Sequence, residues 1–90
     1  MSTLRTATKI EYVAPNTHPR CWTEQQQEDA ARYLARIKTL SQIRRFQSLN
    51  QAQTHNAFYA RNSDALADLQ LLASVYDRAV DIIAFPAKEG

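Results

Sequence analysis

The residues nearest to a chemical motif lie early in the chain, where His18 and Cys21 stand as H-x-x-C and His55 offers a remote third imidazole. Nitrogen and sulfur donors at that spacing suit zinc, but a structural zinc site takes four ligands, commonly in paired motifs. Three donors, one of them far along the chain, argue against a metal centre. As a nucleophile, Cys21 would need a base and an electropositive, partly exposed setting. His18 and Arg20 are close by, yet Pro15 and Pro19 flank this connector and no glycine turn or oxyanion-hole motif accompanies it. An ordinary cysteine is the expectation. Asp64/Asp68 and Asp77/Asp81 are i, i+4 pairs, each on or beside the hydrophilic side of an apolar helical pattern rather than in an evident pocket. The only glycine is Gly90, so no glycine-rich loop exists to cradle a phosphate. A non-enzymatic chain without cofactor or metal is expected.

Two binding chemistries carry more weight. Arg32, Arg36, Lys38, Arg44 and Arg45 run through one helical stretch with Arg61 beyond it, and nucleic-acid binding needs such side chains on one strip, where phosphates are neutralised together. On a straight helix Arg32 and Arg36 share a side, Lys38 and Arg45 lie nearly opposite, and Arg44 falls between. Only convergence of Arg44, Arg45 and Arg61 in three dimensions would support the nucleic-acid reading, whose residues are Arg32, Arg36, Arg44, Arg45 and Arg61. The formal charge of +2 and isoelectric point near 8.9 leave the question open. The other chemistry is protein recognition. In "THNAFYAR", Phe58, Tyr59 and Arg61 are of the types that dominate interface hot spots. The competing expectation is that Phe58 or Tyr59 closes a small core at a hairpin turn. Leu69, Leu72 and Tyr76 belong to a second, wider apolar surface described below.

Prolines occur only at 15, 19 and 86, so residues 20–85 contain no strong breaker and are rich in good helix formers. The fold class expected is all-α: an antiparallel helical hairpin or small three-helix domain with a short N-terminal strand or extended arm. The arm and its proline-containing connector occupy residues 1–22, since "ATKIEYVAP" alternates apolar and polar residues. The helical domain occupies 23–85 and a tail 86–90. Thr23 with Gln26 makes a T-x-x-Q capping box that starts the first helix. Asn62 suits the left-handed residue that closes a helix, with Ser63 or Asp64 capping the next. Between these points the poor helix-forming stretch "SLNQAQTHN" suggests a break near 48–51. That gives helices of about 23–48, 51–61 and 63–84, in preference to one long helix from 23 to 61.

In the last helix, Leu66, Leu69, Ala73, Tyr76, Val80 and Ile83 form a 3-4-3-4-3 seam. Leu72, Val75, Ala79 and Ile82 widen it to more than half the circumference, so the helix is expected to be covered on two sides. The first helix has a stripe, Ile37–Leu40–Ile43–Phe46–Leu49, that winds around its axis at three-residue spacing. Charge predicts orientation too: an antiparallel pair would set the basic end of the first helix near Asp64 and Asp68, and Glu24, Glu28 and Asp29 near Arg78. The single cysteine excludes an intramolecular disulfide. The N-terminal sequence lacks the apolar core of a signal peptide, and no run of about 18 apolar residues occurs. The expectation is a cytoplasmic helical interaction module without membrane contact, acting as adaptor, regulator or inhibitor, as a homodimer or on a protein partner. Nucleic-acid binding is the alternative.

Overall fold

The computed structural model describes residues 12–85. Its elements are a 3-10 turn, Pro19–Cys21, followed by α1 (Glu24–Ile37), α2 (Leu40–Ala60) and α3 (Ser63–Ala84). The chain is an all-α, small three-helix domain. Of the expected strand, residues 7–11 lie outside the described residues. Tyr12 and Val13 belong to no strand.

α1 starts as its capping box requires. The Thr23 hydroxyl accepts from the Gln26 amide at 3.1 Å, and the Gln26 side chain accepts from the Thr23 amide at 2.9 Å. Two of the orphan donors of the first turn are thereby satisfied. The helix ends at Ile37, not in the 48–51 region. Lys38 and Thr39 turn to extended backbone, and Thr39 repeats the same box with Gln42, at 3.2 and 2.8 Å. "TLSQ" is thus a second T-x-x-Q start, sixteen residues after "TEQQ". Residues 48–51 lie inside α2, where tertiary packing outweighs weak intrinsic propensity. The Thr54 hydroxyl donates to the Asn50 carbonyl one turn back at 2.7 Å, which accommodates a poor helix former within the helix.

The break also removes the winding stripe. Ile37 and Leu49 are exposed, and the covered residues of α2 are Leu40, Ile43, Phe46, Gln47, Asn50, Thr54 and Ala57. Apart from Phe46 these fall at 3-4-3-4-3 spacing, a seam that is half polar.

The turn between α2 and α3 is a Schellman motif without glycine. Arg61, at φ 59° and ψ 34°, is the left-handed residue, a role expected of Asn62. The Asn62 amide donates to the Ala57 carbonyl and the Arg61 amide to the Phe58 carbonyl, at 3.0 and 3.1 Å. Asn62 instead caps α3, its side chain accepting from the Ala65 amide at 3.1 Å, so neither Ser63 nor Asp64 is the cap. One left-handed residue and one cap reverse the chain.

α3 is the central element and packs against both α2 and α1. Gln47 donates to Asp77 at 2.6 Å and the Phe46 and Tyr76 rings lie 5.9 Å apart, which sets the register of the α2–α3 hairpin. Along the other flank, Arg20 meets Asp68 at 3.1 Å and Glu28 meets Arg78, so this segment ascends α3 in α3's own direction. The expected Glu28–Arg78 pairing forms. Asp64 and Asp68, however, are met by Arg20 of the 3-10 turn: α1 runs parallel to α3, not antiparallel as expected, which carries Arg32 and Arg36 away from those carboxylates. The core where the helices converge consists of Ala30, Ala31, Ile43, Val75 and Ala79. Four of the five are Ala or Val, small enough for α1 to approach α3 closely, and Ile43 is the largest side chain among them.

Candidate functional site

Because α1 and α2 grip opposite flanks of α3, they leave a strip of it uncovered between them. The gap is an apolar groove of about 300 Å³, walled by Trp22, Tyr33 and Leu34 on one side and Phe46 on the other, with Leu72, Val75 and Tyr76 as its floor. A smaller hollow of about 170 Å³ continues it past Leu49, Asn50 and Gln53, and the two share Phe46, Leu72 and Tyr76.

The arm closes one end. Tyr12 stacks on Tyr33 with ring centroids 4.5 Å apart and planes 20° from parallel, within the range where aromatic pairs attract beyond simple burial. The Trp22 indole donates to the Thr17 carbonyl at 3.1 Å, and its ring lies against the core. Trp22 occupies a staple position whose partner is Gln27. That side chain donates to the Trp22 carbonyl at 3.2 Å, which leaves the ring available to the groove. Lys38 stands 6.0 Å above the Phe46 ring.

Burial raises the hydroxyl pKa of Tyr76, and burial foremost raises that of Tyr12, with Asp29 and Tyr33 adding to it. Both phenols stay neutral at physiological pH, so the groove carries no ionised group on its floor. It offers aromatic faces, aliphatic side chains and a few hydroxyls. That suits an apolar segment and provides neither nucleophile nor acid–base pair.

The structure separates the residues singled out in the sequence. Leu72 and Tyr76 line the groove, and Leu69 is half-buried on α3. Phe58 and Tyr59 do not close the core, being 61% and 70% exposed on α2. They form a cluster with His55, whose ring lies 4.6 Å from Tyr59, while Phe58 meets Tyr59 edge-on at 5.3 Å. Among the described residues no group of three or more His, Cys, Asp or Glu could hold a metal ion. Cys21 is exposed, and the His18 carbonyl accepts from its amide at 2.8 Å as part of the 3-10 turn.

The cations do not converge. Arg44 and Arg61 are separated by most of α2, about 25 Å at 1.5 Å per residue, and Arg44 and Arg45 point about 100° apart. Arg32 is bound to Glu28 at 2.8 Å, and Arg36 is exposed on α1, before the corner that redirects the chain. Trp22, Tyr33 and Phe46 were not among the expected contact residues. The groove joins all three helices and the segment before them, so no spacing within one helix reveals it. Among the described residues no helix is long and apolar enough to cross a membrane. No family model matches this sequence, and no curated protein or solved structure matches it either.

Proposed function

We propose that this chain is a non-enzymatic helical interaction module that holds an apolar segment of a protein partner in the groove between α1 and α2. The observation carrying this reading is the pairing of an open, aromatic-walled groove with a core of only a few buried side chains. The same aromatics that stabilise the fold remain accessible along one edge. A partner placing aliphatic or aromatic anchors over Leu72 and Tyr76 would bury surface that the chain leaves open, and such centrally placed anchors dominate binding energy. An adaptor, regulator or inhibitor subunit in the cytoplasm fits this chemistry.

The sole tryptophan, Trp22, lines the groove and provides the readout. Affinity capture from the native host is expected to recover a partner with the wild-type chain and with Ala52→Gln, a change on the exposed outer side of α2. Recovery should fall at least tenfold with Tyr12→Ala, at the groove rim, and with Leu72→Gln. The purified partner should shift Trp22 emission. Equal recovery by the groove variants, with helix content unchanged by circular dichroism, overturns this reading.

A further inference from the structure

The opposite side of the α2–α3 hairpin carries a second pattern. At 100° per residue, Arg44, Gln51, His55 and Phe58 of α2 fall within about 60° of one another, and all four are exposed. Ser63, Gln70, Ser74, Asp77 and Asp81 of α3 form a stripe of similar width and are likewise exposed. The Gln47–Asp77 hydrogen bond joins the inner edges of the stripes, so they make one continuous face, away from the groove. α2 contains no Asp or Glu, and the stripe on α3 contains no Lys or Arg. Arg78 borders it, sharing a surface hollow with Ser74, Asp77 and Asp81, and is paired with Glu28. One half of the face therefore carries Arg44 and aromatic rings with no acidic residue, and the adjoining half carries Asp77 and Asp81 among small and polar residues.

We propose that this face is a docking surface for a second copy of the chain, arranged about a two-fold axis parallel to the hairpin. Such an axis stacks α2 of each copy over α3 of the other at the same height. Residue 47 is level with 77 and residue 46 with 76, so Arg44 is level with the interval between Asp77 and Asp81. In the dimer each Arg44 meets those carboxylates of the other copy, twice by symmetry. Gln51 meets Ser74 and Gln70, hydrogen-bonding groups facing their like. Phe58 comes over Ser63 at the hairpin tip, where a small residue leaves room for the ring. Among the described residues neither Arg44 nor Asp81 takes part in an ion pair within one copy.

Two helices about 10 Å wide and 30 Å long present roughly 600 Å² per copy, below the 800 Å² or so of a standard stable interface. The association is consequently concentration-dependent, and its charged contacts make it sensitive to salt.

Sedimentation equilibrium of the intact chain tests this. The wild type should shift from monomer toward dimer as concentration rises, and back toward monomer as salt is raised. Arg44→Glu and Asp81→Lys should each remain monomeric where the wild type is dimeric, with unchanged helix content. An equimolar mixture of the two variants should recover the dimer, because both symmetry-related contacts then join opposite charges. Tyr12→Ala, a groove variant, should dimerise as the wild type does, which separates this surface from the groove. A wild type that is monomeric throughout, or a mixture that fails to associate, overturns the proposal.

Discussion

Arg61 holds a backbone conformation that costs a non-glycine residue about 1–2 kcal/mol, yet the hairpin turn is built on it. Glycine removes that penalty and loses about 0.5–1 kcal/mol in unfolded-state entropy. Arg61→Gly is therefore expected to leave stability unchanged or raise it by up to about 1.5 kcal/mol, measurable by urea unfolding. A clear loss would show that the Arg61 side chain itself stabilises the turn. At Glu28, hydrogen bonds from Arg78 and then Arg32 hold the carboxyl below the ordinary glutamate range. A lowered folded-state pKa means that this contribution is complete above the unfolded value of about 4.3 and disappears as pH falls through the folded value. The thermal midpoint of wild type should decline more steeply between about pH 5 and pH 3 than that of Glu28→Gln. Parallel curves would remove Glu28 from the acid response.

At the scale of elements, the corner Lys38–Thr39 decides the architecture, since it lets α1 and α2 hold different flanks of α3. Thr39→Ala deletes the side-chain half of the second capping box and is expected to cost about 1 kcal/mol. In a domain this small that corresponds to a thermal midpoint lower by about 4–8 °C. An unchanged midpoint would mean that the corner is held by packing alone. The start of α1 and both ends of α3 were legible because each has a local signal: a capping box, a polar turn and Pro86. The second box was equally present in "TLSQ", but it sits among apolar residues at three-residue spacing that mimic one continuous helix. Weak propensity in "SLNQAQTHN" pointed to the wrong place. Propensity differences of a few tenths of a kcal/mol per residue are overridden once Ile43, Asn50 and Ala57 are buried.

At the scale of the molecule, charge is distributed by helix rather than gathered into a basic strip. The outer side of α2 is cationic, that of α3 acidic, and several charges pair within the chain, as in Arg20 with Asp68 and Arg78 with Glu28. Phosphate binding draws its strength from many cations acting together. Titration with mixed-sequence DNA or RNA at physiological salt is therefore expected to give no saturable binding. Saturable binding that weakens steeply with salt and disappears in Arg44→Ala/Arg45→Ala would restore the nucleic-acid reading.

Residue types and their spacing were enough to determine an all-α chain, the capping of its first helix, the extent of its last and the breadth of that helix's apolar surface. These are local properties, set by backbone hydrogen bonding and helical periodicity within a few turns. The tertiary structure decided which neighbours cover α3 and what stays open. Phe58 and Tyr59 became exposed, while Trp22, Tyr33, Phe46, Leu72 and Tyr76, from four separate segments, became one groove. No single helix encodes that outcome, because it depends on where the corner at Lys38–Thr39 sends α2 relative to α1.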